Sequence, residues 1–301
     1  MTVVGDLMLD VVVAGSVALE RGTDVPGRVA LRQGGSAANA ARWLARLGVR
    51  TTLVCAVGRD PIGRALVEAV EGDGVRVRAS RVPGAATGRI GVVVAPGGER
   101  SFVADRGAAD ALAPDDLRAA WFAVDAVHLP AYSLIGSPLG DAGRRAIELA
   151  RAARAIVSLD LASAAPLLAR GRRAARRLVT DAAPDLLFAT VAEAEAYLGS
   201  TDLARLLDAA PLVVVKRGAG GATILARGAP APLRFDVATA PLVPTDTTGA
   251  GDAFDAGFLA AFLGVGPELR ARPATLRRAV LAGHRAAARQ LTATPRELVF
   301  G

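Results

Sequence analysis

Residues 246–263 read Asp-Thr-Thr-Gly-Ala-Gly-Asp and then Ala-Phe-Asp-Ala-Gly-Phe-Leu-Ala-Ala-Phe-Leu. Phe254, Phe258, Leu259 and Phe262 recur at three- and four-residue steps, so the spacing predicts a helix over Ala250–Leu263 that begins at the glycines. Gly249 and Gly251 let the backbone approach a ligand with no Cβ between them. A helix start offers unpaired N–H groups and the positive end of the dipole, and both favour phosphate. Asp252 sets a carboxylate beside that anion site. The combination reads as phosphoryl transfer, with backbone amides holding phosphate charge and Asp252 taking a proton from an attacking hydroxyl. The glycine pair alone would equally suit a loop that caps a buried helix; the seven-residue stretch is the more specific signal.

Outward from this junction, strand-like and helix-like runs alternate. Helices are predicted over Ser36–Leu47, Ile62–Val70, Leu139–Ala152, Ala192–Leu198 and Pro273–Gln290. Short apolar strands fall between them, as at 51–57, 126–129, 155–159 and 212–215. The expected fold is α/β, with a mostly parallel central sheet and helices on both faces. Two stretches, 9–33 and 87–105, have β character without helices, and Pro96-Gly97-Gly98 suits a hairpin turn between Arg89–Ala95 and Arg100–Ala104. They are expected to form a small β-sheet lid on a single domain spanning 1–301.

Composition narrows the function. Hydrophobic residues make up 52% of the 301 positions and aromatics only 4%, so Ala, Val and Leu must fill the core. The net charge of +7 invites a nucleic-acid reading, but Lys216 is the only lysine, and the densest basic run, 170–177, has no aromatic neighbours on which bases could stack. That run is expected to be a solvated helix face. Cys55, the single cysteine, sits in a strand pattern and reads as an inert core thiol. His128 and His284 are the only histidines and lie far apart, which excludes a multi-histidine metal site. The start of the chain lacks a basic leader, and no uncharged apolar run approaches a membrane span, so a cytoplasmic protein is expected.

A second glycine site, Gln33-Gly34-Gly35-Ser36-Ala37-Ala38-Asn39, opens a helix after a β stretch. Asn39 offers an acceptor and donors, and Asp10 lies upstream at the far end of a strand. Carboxylate and amide together suit a polyol. Taken singly, Asp10 reads as a solvated turn residue and Asn39 as a local cap.

With these two glycine sites in this order, the chain resembles the ribokinase-like (PfkB) family of carbohydrate kinases over essentially its whole length. The resemblance implies that Asp252 is the catalytic base and that Gly249, Ala250 and Gly251 form the anion hole for the γ-phosphate. It implies that Asp10, Gly34, Gly35 and Asn39 hold substrate hydroxyls. Lys216-Arg217-Gly218-Ala219-Gly220-Gly221 is similar to the family's nucleotide segment through Lys216, Gly218 and Gly221. Val57-Gly58-Arg59-Asp60-Pro61-Ile62-Gly63 is similar to its Gly-x-Asp-x-x-Gly element. The cofactors implied are ATP and Mg²⁺, with Glu193 acting on the metal through water. A monovalent cation such as K⁺ is implied near Asp246 and Thr248, and an adenine pocket around Gly283 and His284. In some members the lid also forms a homodimer.

The departures lie at four positions. Thr190 stands where the family's Asn-x-x-Glu motif has asparagine, Met8 and Ser36 replace an asparagine and a lysine of ribose-specific members, and His284 replaces a small or amide residue. The implied activity is ATP-dependent phosphorylation of a primary hydroxyl on a sugar or sugar derivative. A nucleoside kinase of the same fold and a non-catalytic sugar- or nucleotide-sensing protein are the alternatives; an open apolar pocket near Met8 would favour nucleosides. Neither nucleic acid nor membrane is an expected partner. A P-loop kinase is excluded because the sole lysine follows Val215, and a dinucleotide site because β-branched sequence follows Gly221 where a helix is required.

Overall fold

Alternating strands and helices build a nine-stranded sheet and a separate four-stranded one in the computed structural model, which describes residues 1–95, 99–228, 230–242, 244 and 246–298. In chain order the elements are β1 (Thr2–Val4), β2 (Met8–Gly15), β3 (Gly27–Gly34), α1 (Ser36–Arg46), β4 (Thr52–Gly58) and α2 (Pro61–Gly72). Then come β5 (Arg76–Val82), β6 (Arg89–Val94), β7 (Arg100–Asp105), β8 (Ala126–Pro130), α3 (Leu139–Ala152), β9 (Ile156–Asp160), α4 (Ala164–Leu168) and α5 (Arg172–Ala182). The last are β10 (Leu186–Thr190), α6 (Val191–Leu198), β11 (Leu212–Lys216), β12 (Ala222–Ala226), β13 (Leu233–Val237), α7 (Ala250–Leu263), α8 (Pro267–Arg270) and α9 (Pro273–Thr292).

The large sheet runs β13-β12-β11-β10-β9-β8-β1-β4-β5 and is parallel from β11 to β5, with β12 and β13 antiparallel at one edge. Its inner parallel strands are mostly apolar because both faces are covered, whereas the edge strand β5 alternates Arg76 and Arg78 with Val77. Side chains alternate between two cores: Val213 and Val215 join α3, α5 and α6, while Val214 joins α1, α2, α7 and α9. Helices α7 and α9 lie close because Gly257 and Gly283 carry no side chain: a Cβ at Gly257 would come within 2.6 Å of the Ala282 carbonyl. The basic run on α5 is only partly a solvated face. Ala175, Val179 and Ala182 are buried, and Arg172 and Arg176 donate to the Ala196 and Leu198 carbonyls, closing the end of α6.

The small sheet, in order β3-β2-β6-β7, comes from the two stretches expected to form a lid. The proposed turn at Pro96-Gly97-Gly98 lies outside the described residues. Register sets its faces: Asp10 pairs with Arg32, Val12 with Ala30 and Val92, and Val94 with Arg100, so these residues share one side. Val13, Val29, Val93 and Val103 share the other, where Val29 is 65% exposed and Val103 72%. Asp60 fastens the root of this sheet to α2, accepting from the Gly63 amide at 2.8 Å and the Thr87 amide and hydroxyl at 2.7 Å each. The Gly-x-Asp-x-x-Gly element is thus a structural joint. Among the described residues no helix is long and apolar enough to cross a membrane.

Candidate active site

The turn before α7 forms as its sequence requires. Gly249 caps the helix at φ 71°, a left-handed conformation that glycine adopts at little cost. The first-turn amides of Ala250, Gly251 and Asp252 follow it. Asp252 Oδ1 accepts from Ser36 Oγ at 2.6 Å and Oδ2 from Asn39 Nδ2 at 2.9 Å, so the first turn of α1 fixes the carboxylate from across the chain. Burial raises the Asp252 pKa to about 6, against the pull of those two donors toward ionisation. A carboxylate so tuned is a better base near neutral pH than an exposed one.

Asp10 points from β2 toward the same region. Its Oδ1 is buried without a hydrogen-bond partner, and burial, with Asp6 nearby, raises its pKa to about 7. The glycine pair makes room for this carboxylate and its strand. A Cβ at Gly34 would fall 1.9 Å from Asp10 Oδ1, and one at Gly35 2.6 Å from the Asp6 carbonyl. Asn39 donates to Asp252 and lines a cavity of about 300 Å³ together with Asp10, Arg32, Arg100, Thr248 and Gly249.

Asp246, the residue expected near a monovalent cation, accepts through Oδ2 from Arg32 at 2.8 Å, and through Oδ1 from Arg100 at 2.6 Å and the Thr248 amide at 2.8 Å. Both oxygens are therefore engaged and their charge is met by guanidinium groups. Burial opposes ionisation of Asp246, but Thr248 and Arg100 outweigh it and hold the pKa below the usual carboxylate range. Thr248 is fixed further by Gln290, whose Nε2 donates to its carbonyl at 2.9 Å and whose Oε1 accepts from Trp43 at 2.9 Å.

Lys216 was expected on the nucleotide; the structure turns it inward. Its Nζ is 3.1 Å from Asp160 Oδ2 and 3.1 Å from both Asp255 oxygens, and a Cβ on Gly251 would lie 3.4 Å from it. Burial disfavours its charge, yet Asp160 and Asp255 together raise its pKa, so the ammonium persists. Gly221 is required because a Cβ there would strike the Val237 carbonyl at 2.1 Å, whereas Gly218, at φ 55°, has open space around it. Only Gly218 of the three leaves room for a ligand. His284 lies on α9 with its ring 5.3 Å from that of Phe254, both ring nitrogens unpartnered, and its pKa lowered by burial.

Thr190 and Glu193 form a capping box at the start of α6: the Thr190 amide donates to Glu193 Oε2 at 2.7 Å and the Glu193 amide to the Thr190 hydroxyl at 3.3 Å. The threonine in the altered motif is therefore a helix cap. Burial and the neighbouring Asp160 raise the Glu193 pKa. Sequence reasoning missed Ser36, Gln290, Arg32 and Arg100. The signal for the arginines was β parity, which puts Arg32 and Arg100 on the face of Asp10.

The model of pfkB family carbohydrate kinases matches residues 1–294. A ribokinase from Mus musculus is 28% identical over 89% of this chain and 82% of its own length. An ATP-dependent ribose-1-phosphate kinase from Halopiger xanaduensis is 32% identical over 79% of this chain and 76% of its own. Among solved structures, an adenosine kinase from Sinorhizobium meliloti superposes with a TM-score of 0.84 over 99% of this chain and 96% of that one, at 24% identity, a likeness of fold. The family match and these relatives thus define an ATP-dependent carbohydrate kinase. The chain belongs to the pfkB family of carbohydrate kinases.

Proposed function

We propose that this kinase transfers the γ-phosphoryl group of ATP to a primary hydroxyl of a small sugar or sugar derivative. The observation that carries the reading is Asp252, in the first turn after Gly249 and held by Ser36 and by Asn39, the latter of which lines the cavity together with Gly249. In this reading the amides of Gly249, Ala250 and Gly251 receive the phosphate, Asp252 accepts the hydroxyl proton late in a loose transition state, and Asp10 accepts from a second hydroxyl. Closure of the small sheet would exclude water. Glu193 and the unpartnered Asp160 Oδ1 are hard oxygen donors that fit a hydrated Mg²⁺, which when bound neutralises phosphate charge. The nucleoside reading has less support, because Met8 is fully buried and does not line the cavity beside Asn39 and Gly249.

ADP formation from MgATP, measured against a panel of sugars and nucleosides from pH 5 to 9, tests this. Turnover with a sugar is expected, with kcat/KM rising as Asp252 and Asp10, at about 6 and about 7, lose their protons. Stability should move the opposite way: both folded pKa values exceed the ordinary 3.8, so these groups favour the folded state at low pH and cease to as pH rises through about 7. Ligand binding without turnover for every compound would favour the sensor reading.

The exposed apolar face of the small sheet suits a second copy of this chain, with Val13, Val29, Val93 and Val103 meeting their equivalents. Light scattering should give a dimer for the wild-type protein and a monomer for Val103→Asp. A monomeric wild type at micromolar concentration would end that proposal.

A further inference from the structure

The cavity beside Asp252 is unusually cationic for a neutral polyol. Arg32, Arg42, Arg46, Arg100 and Arg296 all line it. Their acidic counterparts are few. Arg42, Arg46 and Arg296 share the single carboxylate of Asp73, and Arg32 and Arg100 share that of Asp246. Asp10 is the remaining acid of the wall. Of the two arginines at Asp246, Arg100 uses both terminal nitrogens, donating also to the Thr247 and Thr248 hydroxyls at 3.1 and 2.5 Å. Arg32 spends one terminal nitrogen on Asp246, and its Nε is buried without a partner among the described residues. An arginine fork left half-used over a cavity is a receptor for a planar or tetrahedral anion, since two parallel N–H groups match two oxygens.

We infer that the acceptor is an anionic sugar derivative, carrying a carboxylate or phosphate that Arg32 binds while the hydroxyl to be phosphorylated lies at Asp252. The inference rests on the phosphotransfer reading above for its second half only. The small sheet supplies Arg32 from β3 and Arg100 from β7, so an anion bound there would gather two lid strands onto the cavity. Asp246 is the internal anion that those guanidiniums hold when no acceptor is bound, and the positive excess of the wall leaves charge for a second one. Arg42, fixed by Asp73 and Gln33, backs the same wall. The role assigned to Arg32 is specificity: it touches the acceptor's anionic group and not the reacting atoms.

The test uses matched pairs: ribose against ribose 1-phosphate, and glucose against gluconate. Steady-state turnover is measured for the intact enzyme, Arg32→Gln and Arg32→Lys, and binding without nucleotide by calorimetry. For wild type the anionic member of at least one pair should exceed its neutral partner in kcat/KM by about tenfold or more, and which pair responds separates phosphate from carboxylate. Arg32→Gln should lower that ratio by roughly 10- to 100-fold, chiefly through KM, with Arg32→Lys in between. A ratio near one in the wild type, or one that Arg32→Gln leaves within about threefold, would overturn the inference and reduce Arg32 to a fastener between lid and Asp246. Circular dichroism and melting curves verify that the variants fold. If no compound is phosphorylated but an anionic one binds and Arg32→Gln abolishes that binding, the transfer reading fails and this one stands. If no anionic compound binds, this one fails.

Discussion

Asp252→Asn should lose about three orders of magnitude in kcat while ATP affinity stays within a few-fold of wild type. The substitution removes the proton acceptor and little else. Ser36 Oγ can either donate or accept, so an amide at 252 can keep both of its contacts, with its oxygen toward Asn39 Nδ2 and its NH₂ toward the serine. The anion-binding amides belong to the backbone and are unchanged, as is Gly249 with its left-handed cap. Loss should therefore appear in the chemical step, and the part of the rise with pH that belongs to the group at about 6 should disappear, leaving the Asp10 arm at about 7. Equilibrium binding of ATP together with single-turnover rates separates the two effects. A variant that turns over within tenfold of wild type would leave the carboxylate with an orienting role and assign the proton to another acceptor.

The same residues mark where sequence stops being enough. The turn at 249–252 was legible because glycine, helix periodicity and a first-turn acid all bear on one short stretch, and local chemistry decides such stretches. Helices α1, α3 and α9 were legible from apolar spacing, since each buries one stripe, and α7 from its apolar run, since it is buried on all sides. The bond from Asn39 to Asp252 joins residues 213 apart, and no local pattern carries it. That Gly34 and Gly35 make room for Asp10 and the 6–7 backbone is likewise a contact between distant stretches that no local pattern carries. Asp246 was read without its arginines, because Arg32 and Arg100 reach it only once the two lid stretches pair into one sheet.

The inward direction of Lys216 follows from β geometry. On β11, residues of even number share the face of Val214, which packs beneath α7, so Lys216 had to point at that helix and away from the loop after it. That placement sets the second large expectation. Lys216→Met should destabilise the fold by about 3–5 kcal/mol, because it strips the only cation from between Asp160 and Asp255 and leaves two carboxylates facing each other in the interior. The deficit should depend on pH with a definite sign. Burial already raises the Asp255 pKa well above its ordinary value, against the pull of Lys216; without the ammonium it rises further. At low pH the protonated acid then tolerates the loss, and the deficit grows as pH climbs and the unfolded chain alone releases its proton freely. Denaturant titrations at pH 5 and pH 8 measure both arms. Adding Asp255→Leu should recover part of the stability at pH 8, since replacing a buried pair by apolar groups removes the stranded charge. A deficit under about 1 kcal/mol, or one equal at both pH values, would mean that water reaches these carboxylates. The triad would then be a solvated cluster and could not serve as the rigid floor beneath the first turn of α7.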